Sequence, residues 1–136
     1  MNLVINKIKE KISKYSDIKI VDQKDNSITI RPTNIESFPI TLIANFNKFS
    51  VYFKGWHQDF DKEEDALDCL AYGLSDDCRL QVISYGKVEY KWIVEYKEKG
   101  KWVQDSEVDI GLNSFWQKKK VAYYQNNIIK YEGSKK

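Results

Sequence analysis

The chain has 136 residues, 42% of them hydrophobic and 14% aromatic, with six glycines and two prolines. That is enough apolar side chain for one core without disulfides or metal, and too little Gly and Pro for a linker or a low-complexity protein. The formal charge of +2 conceals an asymmetry: from Asp59 to Asp77 eight carboxylates stand against one lysine, a net −7, which leaves +9 for the other residues.

At the start, Ile5, Ile8, Ile12 and Tyr15 recur at helical spacing, with Lys7, Glu10, Lys11 and Lys14 turned away. This predicts an amphipathic helix docked on a sheet. A basic amphipathic helix also suits a membrane surface. Lysines interrupt every apolar run here, however, and no stretch reaches the length of a membrane span. The expectation is a cytoplasmic protein without a secretory leader.

Ile18 and Ile20 alternate with polar neighbours, as do Ile28 and Ile30, and the turn formers of DQKDNS lie between them. Arg31-Pro32 ends the second strand, because proline cannot donate to a ladder. A hairpin follows. With Asn47-Lys48 as its loop, Phe46 opposes Phe49, Ala44 opposes Val51 and Leu42 opposes Phe53. These share an apolar face with Phe38 and Ile40, while Thr41, Asn45, Ser50 and Lys54 lie on the wetter side.

Gly55-Trp56-His57-Gln58 leads into an acidic helix. Asp61 as N-cap with Glu64 three residues on resembles a capping box, and acids in the first turn suit the helix dipole. Ala66, Leu67, Leu70, Ala71 and Leu74 form its apolar stripe, and Gly73 weakens its last turn.

For the third hairpin two loops compete. A three-residue Ser84-Tyr85-Gly86 loop pairs Val82 with Val88, Leu80 with Tyr90 and Cys78 with Trp92, and Gln81 with Glu89 and Arg79 with Lys91 behind them. A two-residue Gly86-Lys87 loop puts Arg79 and Gln81 on the aromatic face. A one-residue slip swaps every side chain across the sheet, so the first is preferred. Val94 and Tyr96 continue the row, Gly100 turns the chain into Trp102 and Val103, and a last strand lies near 121–125. The fold class is α+β: two helices packed on antiparallel, hairpin-rich sheet, in the order helix, four strands, helix, three or four strands. One domain is expected over 1–129, with a frayed tail over 130–136.

The chemistry-bearing residues are few. His57 is the lone histidine, two residues before Asp59 and four before Asp61. It could serve as a base or a ligand, but a divalent site needs more protein donors, so no metal is expected. Cys69 and Cys78 form no CxxC and are expected as thiols. There is no GxSxG elbow, P-loop or GxGxxG, so no catalytic residue and no cofactor is assigned. Lysines interleave with aromatics in YKWIVEYKEKGKW and FWQKKKVAYYQ, which suits single-stranded nucleic acid. Period two places the first set of rings on a buried row instead, and nucleic acid ranks behind a protein partner.

Glu64 and Asp68 are like charges at i, i+4, a spacing that repels. A basic partner would relieve that repulsion and be steered to it. The expectation is a protein-binding module, most concretely an inhibitor or immunity-type protein that masks a basic surface of a toxin enzyme. Its partner-binding residues are Trp56, His57, Asp59, Asp61, Glu64, Asp65 and Asp68. The first rival is a ligand-binding or catalytic cone, with Tyr90, Trp92, Trp102 and Tyr124 around a pocket reached by His57 and Asp59. Nucleic-acid binding is the second.

Overall fold

A computed structural model describes residues 3–111 and 117–130. The chain runs α1 (Leu3–Ile12), β1 (Ile18–Lys24), β2 (Ser27–Pro32), β3 (Ile40–Asn45), β4 (Lys48–Phe53), β5 (Trp56–Phe60), α2 (Glu63–Leu74), β6 (Cys78–Tyr85), β7 (Val88–Glu98), β8 (Lys101–Asp109) and β9 (Lys119–Tyr124). The fold is mixed α+β, with two antiparallel sheets. The first is a five-stranded meander, β1-β2-β3-β4-β5, and the second has the order β8-β7-β6-β9. Among the described residues no helix is long and apolar enough to cross a membrane.

Alternation along the strands builds the core. Ile28, Ile30, Ile40, Leu42, Val51, Phe53 and Trp56 line one face of the first sheet, and Cys78, Leu80, Val82, Trp92 and Val94 line one face of the second. Both helices add apolar stripes to the same cluster: Val4, Ile5, Ile8 and Ile12 from α1, and Ala66, Leu70 and Leu74 from α2. Tyr15 lies beyond α1 and is exposed.

Five strands precede α2, one more than the sequence pattern offers. The extra strand is β5, in the stretch expected to lead directly into the helix. Its His57, Gln58 and Asp59 are all exposed, so it carries no apolar alternation. Pairing with β4 makes it a strand. The turn between β1 and β2 is also tighter than DQKDNS suggests, because Lys24 already pairs with Ser27.

Two hairpins keep their expected faces with different partners. In β3–β4 the turn is Phe46-Asn47, with Asn45 opposite Lys48, Ala44 opposite Phe49 and Leu42 opposite Val51. Each expected partner is two residues off, which preserves the face and changes the neighbour. Phe46, expected on the buried face, stands fully in solvent at the turn. In β6–β7 the two-residue Gly86-Lys87 turn is the one that forms: Tyr85 pairs with Val88 and Ser84 with Glu89. The ladder then skips Tyr90 and resumes with Ile83 opposite Lys91 and Val82 opposite Trp92. This bulge returns Cys78, Leu80 and Val82 to the face of Trp92 and Val94. Arg79 faces Glu95 and Gln81 faces Ile93, in place of the expected Lys91 and Glu89.

Close approaches and one buried amide join the layers. A Cβ on Gly73 would stand 2.6 Å from the Phe53 ring and 2.8 Å from Ile40 Cδ1, so this glycine lets α2 settle onto the first sheet. Gly55 does the same between sheets, since a Cβ there would fall inside the Trp92 ring's contact radius, at 2.3 Å. Trp92 Nε1 donates to Glu89 Oε1 (3.1 Å), and Lys54 Nζ lies 3.2 Å from Glu89 Oε2. Asn126 is fully buried: its Nδ2 donates to Gly73 O (2.9 Å) and its Oδ1 accepts from Phe38 N–H (2.8 Å). The segment after β9 is held further by Ile128 N–H to Leu74 O and by Asp76 N–H to Ile129 O. Of the tail expected from 130 onward, 131–136 lies outside the described residues.

Replacing Asn126 by alanine should cost about 3 kcal/mol, because it strands a buried donor and a buried acceptor at ~1–3 kcal/mol each. Urea unfolding at constant slope measures it. Gly73→Ala should also destabilise, by about 1–3 kcal/mol net of its helix-propensity gain, through the clash with Phe53. A more stable Gly73→Ala protein would mean that the helix–sheet contact is loose.

Candidate functional site

The six acids from Asp59 to Asp68 fall into three settings. Glu63 is spent inside the fold: its Oε2 lies 2.6 Å from Lys7 Nζ, joining the start of α2 to α1. Asp59 lies on the outer face of β5, where its Oδ1 accepts from Ser50 Oγ at 2.6 Å. Asp61, Glu64, Asp65 and Asp68 are exposed along one stripe that starts just before α2. Among the described residues no ion pair involves Asp61, Glu64 or Asp65. The expected Asp61 capping box does not form. Lys62 occupies the N-cap in extended geometry with no side-chain cap bond, so α2 begins one residue later. Its first turn still carries Glu63, Glu64 and Asp65 at the positive end of the helix dipole.

The other two candidates part company. Trp56 is 4% exposed, stacks on Phe53 with centroids 4.7 Å apart, and donates from Nε1 to Ser106 Oγ at 2.9 Å. It is a core residue that ties the first sheet to β8, and it offers no surface to a partner. Its inward position follows from strand parity: Trp56 pairs with buried Phe53, so His57 must point the other way. His57 is exposed and stacks on Tyr52 at 5.1 Å, with Nδ1 3.3 Å from Gly55 O. His57 and Asp59 thus share the outer face of the first sheet, while α2 covers its inner face.

The four rings proposed to line a pocket do not converge. Trp92 is buried against Gly55, and Tyr90 stacks on Tyr85 at 4.7 Å. Tyr124 has Lys54 Nζ over its ring at 5.2 Å. Trp102 lies under Arg79, whose guanidinium is 4.8 Å from that ring and 4.2 Å from Tyr123. A groove of about 780 Å³ opens elsewhere, lined by Asp17, Asn34, Ile35, Glu36, Gln125 and Asn127 among others.

Arg79 anchors a cluster that sequence reasoning missed. It bonds Glu95 (2.7 Å), which also accepts from Gln81, and Gln81 reaches the Tyr123 hydroxyl at 3.2 Å. Lys97 Nζ lies 5.2 Å from the Trp102 ring. Trp102 of β8 and Tyr123 of β9 thus meet cations on this face of the second sheet, while Trp92, Val94 and Tyr96 of β7 keep their period-two row on the other face, opposite Val82, Leu80 and Cys78. Phe115 and Trp116 of the second interleaved segment lie outside the described residues.

Cys69 and Cys78 are both thiols rather than halves of a disulfide. Among the described residues no group of three or more His, Cys, Asp and Glu could hold a metal. Burial pushes the Cys78 thiol well up, and the nearby Cys69 adds to this. Burial likewise raises Tyr72, whose hydroxyl donates to Glu95 O at 3.1 Å.

The chain matches no family model, no curated protein and no solved structure. The fold and the surface chemistry therefore define its class by themselves: a mixed α+β protein with an acidic helical stripe.

Native-state thiol labelling should separate the cysteines. Cys69 is partly exposed and should react first, while Cys78 should react at the rate of opening, even when the pH is raised to about 9. The folded chain holds the Cys78 proton past the pH where the unfolded chain releases it, so stability should fall as pH rises through the ordinary thiol range. Equal labelling rates would contradict the buried position.

Proposed function

We propose that this chain is a protein-binding module that docks a basic surface through the acidic stripe at the start of α2. One observation carries the proposal. Asp61, Glu64 and Asp65 stand exposed with no ion pair among the described residues, although lysine and arginine together number 22 in the chain. Uncompensated like charges repel in the free protein. A cationic partner removes that repulsion and is drawn in by the same field. Asp68 extends the stripe by one helical turn from Glu64.

The most concrete form of the proposal is an inhibitor or immunity-type protein that masks the active surface of a toxin enzyme. Enzymes that cut nucleic acids must present basic clefts to phosphates, so an acidic cap is a physically suited antagonist. Trp56 drops out of the docking set because it is buried. His57 and Asp59 offer a second surface at the adjoining strand.

The test neutralises the stripe with Asp61→Asn, Glu64→Gln, Asp65→Asn and Asp68→Asn together. With a partner recovered from native lysate, stopped-flow association at low salt should slow about tenfold or more, and its salt dependence should flatten. An unchanged association rate would remove the helix from recognition.

A further inference from the structure

The acidic stripe adjoins an open strand edge, and the edge adds directional chemistry that charge alone lacks. β4 and β5 are joined by the turn Lys54-Gly55, and Phe53 opposite Trp56 closes the hairpin. The closing pair of a two-residue hairpin exchanges both main-chain hydrogen bonds, and bonded pairs then alternate with non-bonded ones. Trp56, Gln58 and Phe60 therefore bond to β4. The N–H and C=O groups of His57 and Asp59 face away from the sheet, because β5 is its last strand. β8 meets β5 at its first residue, through Trp56 and Ser106. Beyond it, His57, Gln58 and Asp59 are exposed on both faces, even though Gln58 pairs with buried Val51.

The other edges are blunted. β1 is bulged between Ile20 and Asp22, and the β7–β8 ladder shifts between Val94 and Glu95. β9 is regular but carries Lys119 and Lys120, and lysine on an edge discourages pairing. β5 is regular and acidic. Asp59 stands on one face of it, and α2, which starts three residues after its end, carries Glu64 and Asp65 on the side of the other face.

We infer that β5 accepts an added strand: an extended, lysine- or arginine-rich segment of the partner that pairs with the main chain of His57 and Asp59. Main-chain bonds fix its register, its basic side chains meet Asp59 on the outer face, and the α2 stripe draws the segment in through its field. This rests on the docking proposal above and specifies how the partner is held.

The probe is an acetylated decapeptide of alternating lysine and threonine. A twin of equal charge, N-methylated at its four central residues, cannot pair along either edge. By fluorescence anisotropy at low salt the parent should bind, and the twin should bind at least tenfold more weakly. Amide exchange at His57 and Asp59 should slow when the parent is added. Equal binding of parent and twin, or unchanged exchange at those amides, overturns strand addition. If both peptides also lose binding to the neutralised stripe variant, docking by charge survives that result. Failure of the parent to bind overturns strand addition as well. So does concentration-dependent self-association in light scattering that the peptide does not reverse, since a second copy would then hold the edge.

Discussion

The carboxamide of Asn126 is the joint on which the arrangement of layers depends. It satisfies an acceptor at the end of α2, Gly73 O, and a donor ahead of β3, the Phe38 N–H, with one planar group in a site without solvent. Few side chains offer both functions in so short a span. The backbone of the same residue accepts from Asn34 Nδ2 at 2.8 Å, and the preceding Gln125 N–H donates to Glu36 O at 2.8 Å. The stretch that follows the last strand thereby becomes a strap across the first sheet's loop and the helix terminus. With that strap in place, α2 is held against the first sheet at Gly73, and the helix presents its opposite stripe outward. The position of the acids is in this sense a consequence of a neutral amide far along the chain.

Burial follows parity, and parity is written in alternating apolar residues. For that reason the faces of β3, β4, β6 and β7 were legible even where the partners were not. Turn chemistry decides partners, and it is carried by two or three residues whose competing options differ by little. β5 escaped because its side chains follow no period; hydrogen bonding to β4 alone defines it. The helix entrance was misplaced because Asp61 satisfies the compositional rule for a cap while Lys62 holds the position. Among the candidate residues, the exposed acids were visible as charge, and the burial of Trp56 was visible in principle from its spacing to Phe53 across a tight turn. Asn126 left no trace in the sequence, since a buried asparagine looks like a surface one until its neighbours are known.

Among the described residues several cations have local partners: Arg79 with Glu95 and two rings, Lys54 with Glu89 and Tyr124, and Lys91 with Glu107. At the start of α2, Glu63 is matched by Lys7 of α1, whereas among the described residues no ion pair involves Asp61, Glu64 or Asp65. An exposed pair of this kind contributes less than about 1 kcal/mol, and the exposed acids shape the electric field outside the protein.

The skipped residue at Tyr90 has a consequence for how such a chain changes over generations. A bulge beside a turn acts as a slack link: it takes up one residue's offset before the ladder reaches the core. A lineage can therefore lengthen or shorten the tip at Gly86-Lys87 and cancel the offset by losing or gaining the slack, while Val82 and Trp92 keep their places. A change of loop length at that corner of the molecule would then leave the packing behind it in place.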